Sequence, residues 1–144
     1  MKNICGIAVA AIFFMAWNTG LLIAQSSNSD FIVVANKQIA GESINKKALK
    51  GIYLCEVKNW SNGNKIIVVN LDGGGDFYQN LFGKTSVQMQ AYWLNMRIKY
   101  SVDLPVTKKD AASVKRFIAS NKGAIGFIKK SDLDDTVKTL NIIN

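Results

Sequence analysis

The chain has 144 residues, of which 49% are hydrophobic, with a formal charge of +8, two cysteines and no histidine. Without histidine, and with Cys55 the lone cysteine beyond the first few residues, zinc sites of the His/Cys type and Ser-His-Asp or Cys-His catalytic triads are excluded. The basic excess is spread in small pairs, Lys46-Lys47, Lys108-Lys109 and Lys129-Lys130, so it reads as a solvated surface and no nucleic-acid partner is expected.

The first segment reads as an export signal. Met1-Lys2-Asn3 is followed by an uncharged apolar run from Ile4 to Trp17, then Leu21-Leu22-Ile23-Ala24 and a polar stretch from Gln25 to Asp30. This pattern predicts a signal peptide over 1–24, cleaved after Ala24, and a periplasmic or secreted mature domain over 25–144. The alternative is an uncleaved membrane anchor, since a bilayer needs about 20 apolar residues; Asn18-Thr19-Gly20 interrupts such a span. Cleavage removes Cys5 and leaves Cys55 unpaired, a small residue expected to be buried.

In the mature part, Phe31-Ile32-Val33-Val34-Ala35 is a continuous apolar, β-branched run and predicts a strand covered on both faces. Ser43 is expected to cap a helix over 44–54, with Ile44, Leu49, Ile52 and Tyr53 facing inward. Turn residues cluster from Lys58 to Asn64, and Trp60 is expected to pack beneath that loop. Ile66-Ile67-Val68-Val69 predicts the next strand. Asp76 is placed to cap a short helix from Phe77 to Phe82. Thr85 or Ser86 caps the longest helix, over 87–98, which carries Val87, Met89, Tyr92, Trp93 and Met96. Asp110 caps a helix over 111–121, and Asn121-Lys122-Gly123 is expected to stop it in a left-handed turn. Ala124 to Ile128 and Val137 to Ile143 complete the strands. The order β-α-β-α-α-α-β-β predicts an α/β fold, a mostly parallel or mixed sheet flanked by helices, in a single compact lobe.

The feature with chemistry in it is the loop Asn70-Leu71-Asp72-Gly73-Gly74-Gly75-Asp76 between a strand and a helix. Glycines let backbone N–H groups approach a ligand, and the helix start adds partial positive charge, so such a loop suits an oxyanion. The order of Val34-Ala35-Asn36, Leu49-x-x-Ile52-Tyr53-Leu54-Cys55-Glu56-Val57-x-x-Trp60, Ile67-Val68-Val69-Asn70-x-Asp72-Gly73-Gly74-Gly75, Tyr92-Trp93 and Gly123-Ala124-Ile125-Gly126-Phe127-Ile128 resembles the phosphate ABC transporter substrate-binding proteins. That family carries I-F-x-G-x-I-x-x-W, R-x-D-G-S-G-T and G-A-I-G-Y-V. The resemblance implies a periplasmic-binding-protein-like fold. It also implies a ligand site at Asn70, Asp72, Gly73, Gly74, Gly75 and Asp76, a small oxyanion such as phosphate as ligand, and an ABC importer permease or other envelope protein as partner.

Asp72, Gly73 and Gly75 match the family loop. Asn70 stands where it has arginine, Gly74 where it has serine and Asp76 where it has threonine, and Cys55 replaces the glycine after I-F-x. An oxyanion held here loses a permanently charged bidentate partner and two hydroxyl donors. The expectation is therefore an exported solute-binding-like domain with a weakened or lost oxyanion site, no cofactor and no metal. The alternative is a ligand-free envelope interaction or accessory protein on the same scaffold. Catalysis by an Asp72/Asp76 pair is set aside, because that spacing across a glycine turn is a turn residue followed by a cap, and the chain is not read as an enzyme.

Overall fold

The computed structural model describes residues 30–144, so the predicted signal segment and Cys5 lie outside the described residues. Apolar runs form the inner strands: β1 (Phe31–Ala35), β3 (Ile67–Leu71) and β5 (Ala124–Lys129). Two strands of three residues each, β2 (Ser43–Asn45) and β4 (Val106–Lys108), lie at the borders, and β6 (Lys138–Ile143) closes the order. The helices are α1 (Lys46–Tyr53), α2 (Gly75–Phe82), α3 (Ser86–Tyr100) and α4 (Ala111–Ser120). The sheet runs β2-β6-β1-β5-β3-β4. β3 is parallel to both β4 and β5, β1 is antiparallel to β5 and β6, and β2 is parallel to β6. This is the mixed α/β sheet with flanking helices that the element order predicts.

Strand alternation assigns the two faces. Val33, Ala35, Ile125 and Phe127 point to one side, where they meet Leu49, Ile52 and Tyr53 of α1, Phe77, Tyr78 and Leu81 of α2, and Met89 and Trp93 of α3. Val34, Val69, Ala124 and Ile128 point to the other, covered by Val114 and Ile118 of α4. Gly126 belongs to the α4 side, where an added Cβ would come 2.7 Å from Val69 O. Two hydrogen bonds tie α3 to the end of α1: Trp93 Nε1 donates to Tyr53 O at 2.7 Å and the Tyr92 hydroxyl to Leu54 O at 2.9 Å. They satisfy carbonyls that a helix terminus leaves without partners.

Thr85 and Asp110 cap α3 and α4 as predicted, accepting from Gln88 N and Ser113 N. Three other local expectations are corrected. Ser43 is taken into β2, whose residues pair with Asn141–Ile143, and the side chain of Asn45 caps α1 instead by accepting from Lys47 N at 2.8 Å. Asp76 is not a cap: α2 begins one residue before it, with Gly74 at the N-cap and no side-chain cap bond. The stop after α4 is not left-handed. Asn121 is extended at φ −126° and its Nδ2 donates to Phe117 O at 2.8 Å. Gly123 is needed there for space, since a Cβ would lie 1.9 Å from Lys65 O, and Trp60 Nε1 donates to Gly123 O at 3.0 Å.

Cys55 is half-buried rather than buried, and sits at φ +62° just beyond α1. The glycine of the resembled pattern falls at this left-handed position, where a side chain costs about 1–2 kcal/mol. Burial pushes the Cys55 thiol above its ordinary pKa, with Lys58 opposing in part, so it is held protonated.

Candidate functional site

The loop from Asn70 to Asp76 leaves the carboxyl end of β3 beside that of β4, where Asp72 N donates to Lys108 O at 2.8 Å. Ligands of open α/β sheets bind at such strand ends. Gly73 adopts φ +74°, a turn that favours glycine, and its N–H donates to Asp72 Oδ1 at 2.9 Å. Gly74 N donates to Leu71 O at 3.2 Å. A Cβ on Gly74 would lie 2.3 Å from Cε2 and 2.5 Å from Cζ of Phe127. Phe127 is fully buried and stacks on Phe77 with ring centroids 4.0 Å apart at 10°. The absence of a side chain at position 74 is therefore matched by an aromatic ring in that space. Gly75 abuts Ser86, whose Oγ would lie 3.2 Å from an added Cβ.

Four of the six predicted site residues line one or both of two separate spaces. Asn70, Asp72 and Gly73 line a polar cavity of about 30 Å³ together with Tyr78, Ser86, Gln90, Trp93 and Thr107. Asp76 lines a different, open depression of about 300 Å³ with Asp30, Gly73, Gln79, Asn80 and Lys129. Gly74 is buried beneath the loop. Asp76 thus does not share the space of Asn70; it stands in the first turn of α2, where its charge favours the helix N-terminus. Lys129 and two carboxylates line the depression, and no Lys or Arg lines the cavity.

Asn70 is 5% exposed, yet its Oδ1 has no hydrogen-bond partner, and the hydroxyl of Tyr78 on the same cavity has none either. Burial holds the Tyr78 hydroxyl well above the ordinary tyrosine pKa, so it stays protonated. The equally buried Asn36 is fully used: Nδ2 donates to Ile118 O and Ala119 O at 2.8 and 3.1 Å, and Oδ1 accepts from Gln38 N at 2.9 Å. Asn36 fastens β1 to the end of α4, whereas Asn70 lines the cavity and its Oδ1 has no partner.

Tyr78, Ser86, Gln90 and Thr107 were not predicted as site residues. Ser86 was read only as an alternative cap for α3; Thr85 takes that cap, which leaves the Ser86 hydroxyl for other use. Tyr78 belongs to the core as well as to the cavity lining. Among the described residues, no group of three or more His, Cys, Asp or Glu is placed to hold a metal ion, and no helix is long and apolar enough to cross a membrane.

No family model and no curated protein matches the chain in sequence. Solved structures do match its fold. An ABC-type phosphate transport receptor from Vibrio cholerae superposes with a TM-score of 0.54 at 19% identity, over 78% of this chain and 45% of the receptor. PstS from Borrelia burgdorferi gives 0.55 at 20% identity, over 78% of this chain and 46% of PstS. A Clostridium perfringens protein assigned as a phosphate ABC transporter substrate-binding protein, solved with bound phosphate, gives 0.61 at 19% identity, over 78% and 44%. The chain spans less than half the length of these three proteins. At these identities the likeness is one of fold: the chain has the α/β architecture of the phosphate-receptor structures over most of its length.

Proposed function

We propose that the chain is an exported, solute-binding-like domain, not an enzyme, whose loop over Asn70–Asp76 has lost most of the grip on an oxyanion that the resembled loop provides. The fold likeness to phosphate receptors supports the solute-binding part of this reading. The cavity lining carries the rest: no cation lines the space at the end of β3, and Phe127 fills the space a serine at position 74 would need. Hydrogen bonds to charged groups contribute about 1.5–3 kcal/mol each, so an absent arginine and two absent hydroxyls amount to several kcal/mol. Each 1.4 kcal/mol is about tenfold in affinity. Calorimetric titration of the purified protein with inorganic phosphate is expected to show no binding tighter than millimolar, and submicromolar affinity would overturn the reading. Export is tested by mass spectrometry of the protein from its native host. A mature N-terminus at or near Gln25 supports a cleaved signal, and an intact Met1 supports an anchor.

A second reading, an interaction or accessory protein of the envelope, is favoured by α3. Val87, Leu94 and Ile98 are 74%, 55% and 73% exposed, and with exposed Ala91 they follow the 4-3-4 spacing of a helix-packing seam. An importer permease or another envelope protein is the partner class for either reading. Crosslinking from Leu94 in native membranes, with and without an importer deletion, separates the two.

A further inference from the structure

We propose that the cavity between β3, β4, α2 and α3 receives a hydroxyl group of a neutral, polyhydroxylated solute. The inference rests on the solute-binding reading and replaces the oxyanion by a different class of ligand. Two buried groups point to it independently. The Oδ1 of Asn70 and the hydroxyl of Tyr78 lack partners, and both residues, 5% and 3% exposed, line the same cavity. A buried polar group without a partner is costly, and native folds keep few of them. A third such group, the Tyr53 hydroxyl, does not line this cavity and plays no part here.

The chemistry of the lining selects the ligand. Tyr78, Ser86 and Thr107 contribute hydroxyls, and Asn70 and Gln90 contribute amides. All of these side chains both donate and accept. An oxyanion finds no cation in this lining to offset its charge, whereas a neutral hydroxyl needs none. A ligand hydroxyl donates to Asn70 Oδ1 and accepts from the Tyr78 hydroxyl, which burial keeps protonated. Size selects in the same direction. A cavity of about 30 Å³ has room for one or two water molecules, hence for a hydroxyl or hydroxymethyl group. The remainder of the solute then lies on the exposed rim of Asp72, Gly73 and Thr107. Asp72 engages Gly73 N–H through Oδ1, which leaves Oδ2 to accept from a second ligand hydroxyl.

The test is an NMR titration of the isotope-labelled protein with glucose, sorbitol and inorganic phosphate in turn. At least one polyol is expected to shift the Asn70 side-chain amide and the Gly73 backbone amide saturably, with phosphate silent at both. Tyr78→Phe removes only the hydroxyl and is expected to weaken polyol binding about three- to tenfold; Asn70→Leu is expected to weaken it at least as much. Phosphate shifting these resonances with both polyols silent overturns the inference and leaves solute binding standing. Silence to all three ligands overturns the inference and the solute-binding reading together. Polyol shifts untouched by both substitutions place the ligand elsewhere and overturn the site.

Discussion

Gly74→Ser restores one hydroxyl of the resembled loop, and the packing beneath the loop sets its effect on stability. The new Cβ arrives 2.3 Å from Cε2 and 2.5 Å from Cζ of Phe127, where carbon atoms in contact prefer about 3.5–4.0 Å. Relief needs a ring shift of more than about 1 Å, and the ring is confined on several sides. It stacks on Phe77 at 4.0 Å and meets Tyr78 and Phe31 edge-on at 5.4 and 5.6 Å. Overpacking a core costs about 1–3 kcal/mol, and displaced aromatic pairs add about 0.5–1.5 kcal/mol each. Because the obstacle is a fully buried ring, a loss of about 3 kcal/mol is expected. That corresponds to a fall in Tm of roughly 10 °C for a domain of this size. Urea unfolding followed by tryptophan fluorescence measures it, with the midpoint falling and the m-value unchanged. Phe127→Leu opens the space, so the double variant should lose less than the sum of the single losses, by about 1–2 kcal/mol. A Gly74→Ser protein within about 0.5 kcal/mol of the parent, the range of ordinary surface changes, would refute the argument. So would strict additivity. Any attempt to rebuild an oxyanion loop here must therefore change Phe127 together with Gly74.

Asn36→Leu is expected to cost about 2–4 kcal/mol by chemical denaturation, since it strips partners from Ile118 O, Ala119 O and Gln38 N. Asn70→Leu, which removes an acceptor with no partner, is expected to be neutral or stabilising. Burial raises the Tyr78 hydroxyl above its ordinary value of 10.0, and that of Tyr53 more strongly, with Tyr78 adding a smaller push in the same direction. The stabilisation this represents is intact below about pH 10 and is lost as pH rises beyond it, because the unfolded chain ionises first. An ultraviolet pH titration should show these two tyrosinates only as the fold is lost; their ionisation in the folded protein would contradict the buried positions. Cys55→Val should be less stable than Cys55→Gly by about 1–2 kcal/mol in thermal melts, because a β-branched residue resists φ +62°.

The long-range outline was legible where a single physical signal dominated. Runs rich in β-branched residues marked β1 and β3, an apolar run marked β5, and Thr85 and Asp110 announced two helix starts. The borders β2 and β4 were not legible, because three residues carry no period and Ser43 offers a cap as readily as a strand. The six loop positions could be named from glycine spacing, but their division between two spaces could not. It depends on where α2 starts, and glycine rather than Asp76 takes the cap. Tyr78, Ser86 and Thr107 reach Asn70 only through crossovers between strands. The ring of Phe127 reaches Gly74 across the sheet, from a residue more than fifty positions along the chain. The tryptophan and glycines of the resembled pattern proved to be scaffold: Trp60 bonds Gly123, and Gly123 and Gly126 admit neighbouring carbonyls.

The two border strands carry a consequence for association between chains. A sheet edge offers unpaired N–H and C=O groups to any extended segment that meets it, and a long edge templates aggregation. Here each border is three residues long, so an incoming strand finds only a short ladder before pairing ends. The β4 border also carries Lys108, whose Nζ lies 4.6 Å from the centre of the Phe117 ring and keeps a charge at that edge. The longer strands, with the most apolar sequences, are enclosed between neighbours on both sides. The brevity of these margins limits edge-to-edge pairing, without any disulfide among the described residues to fasten them.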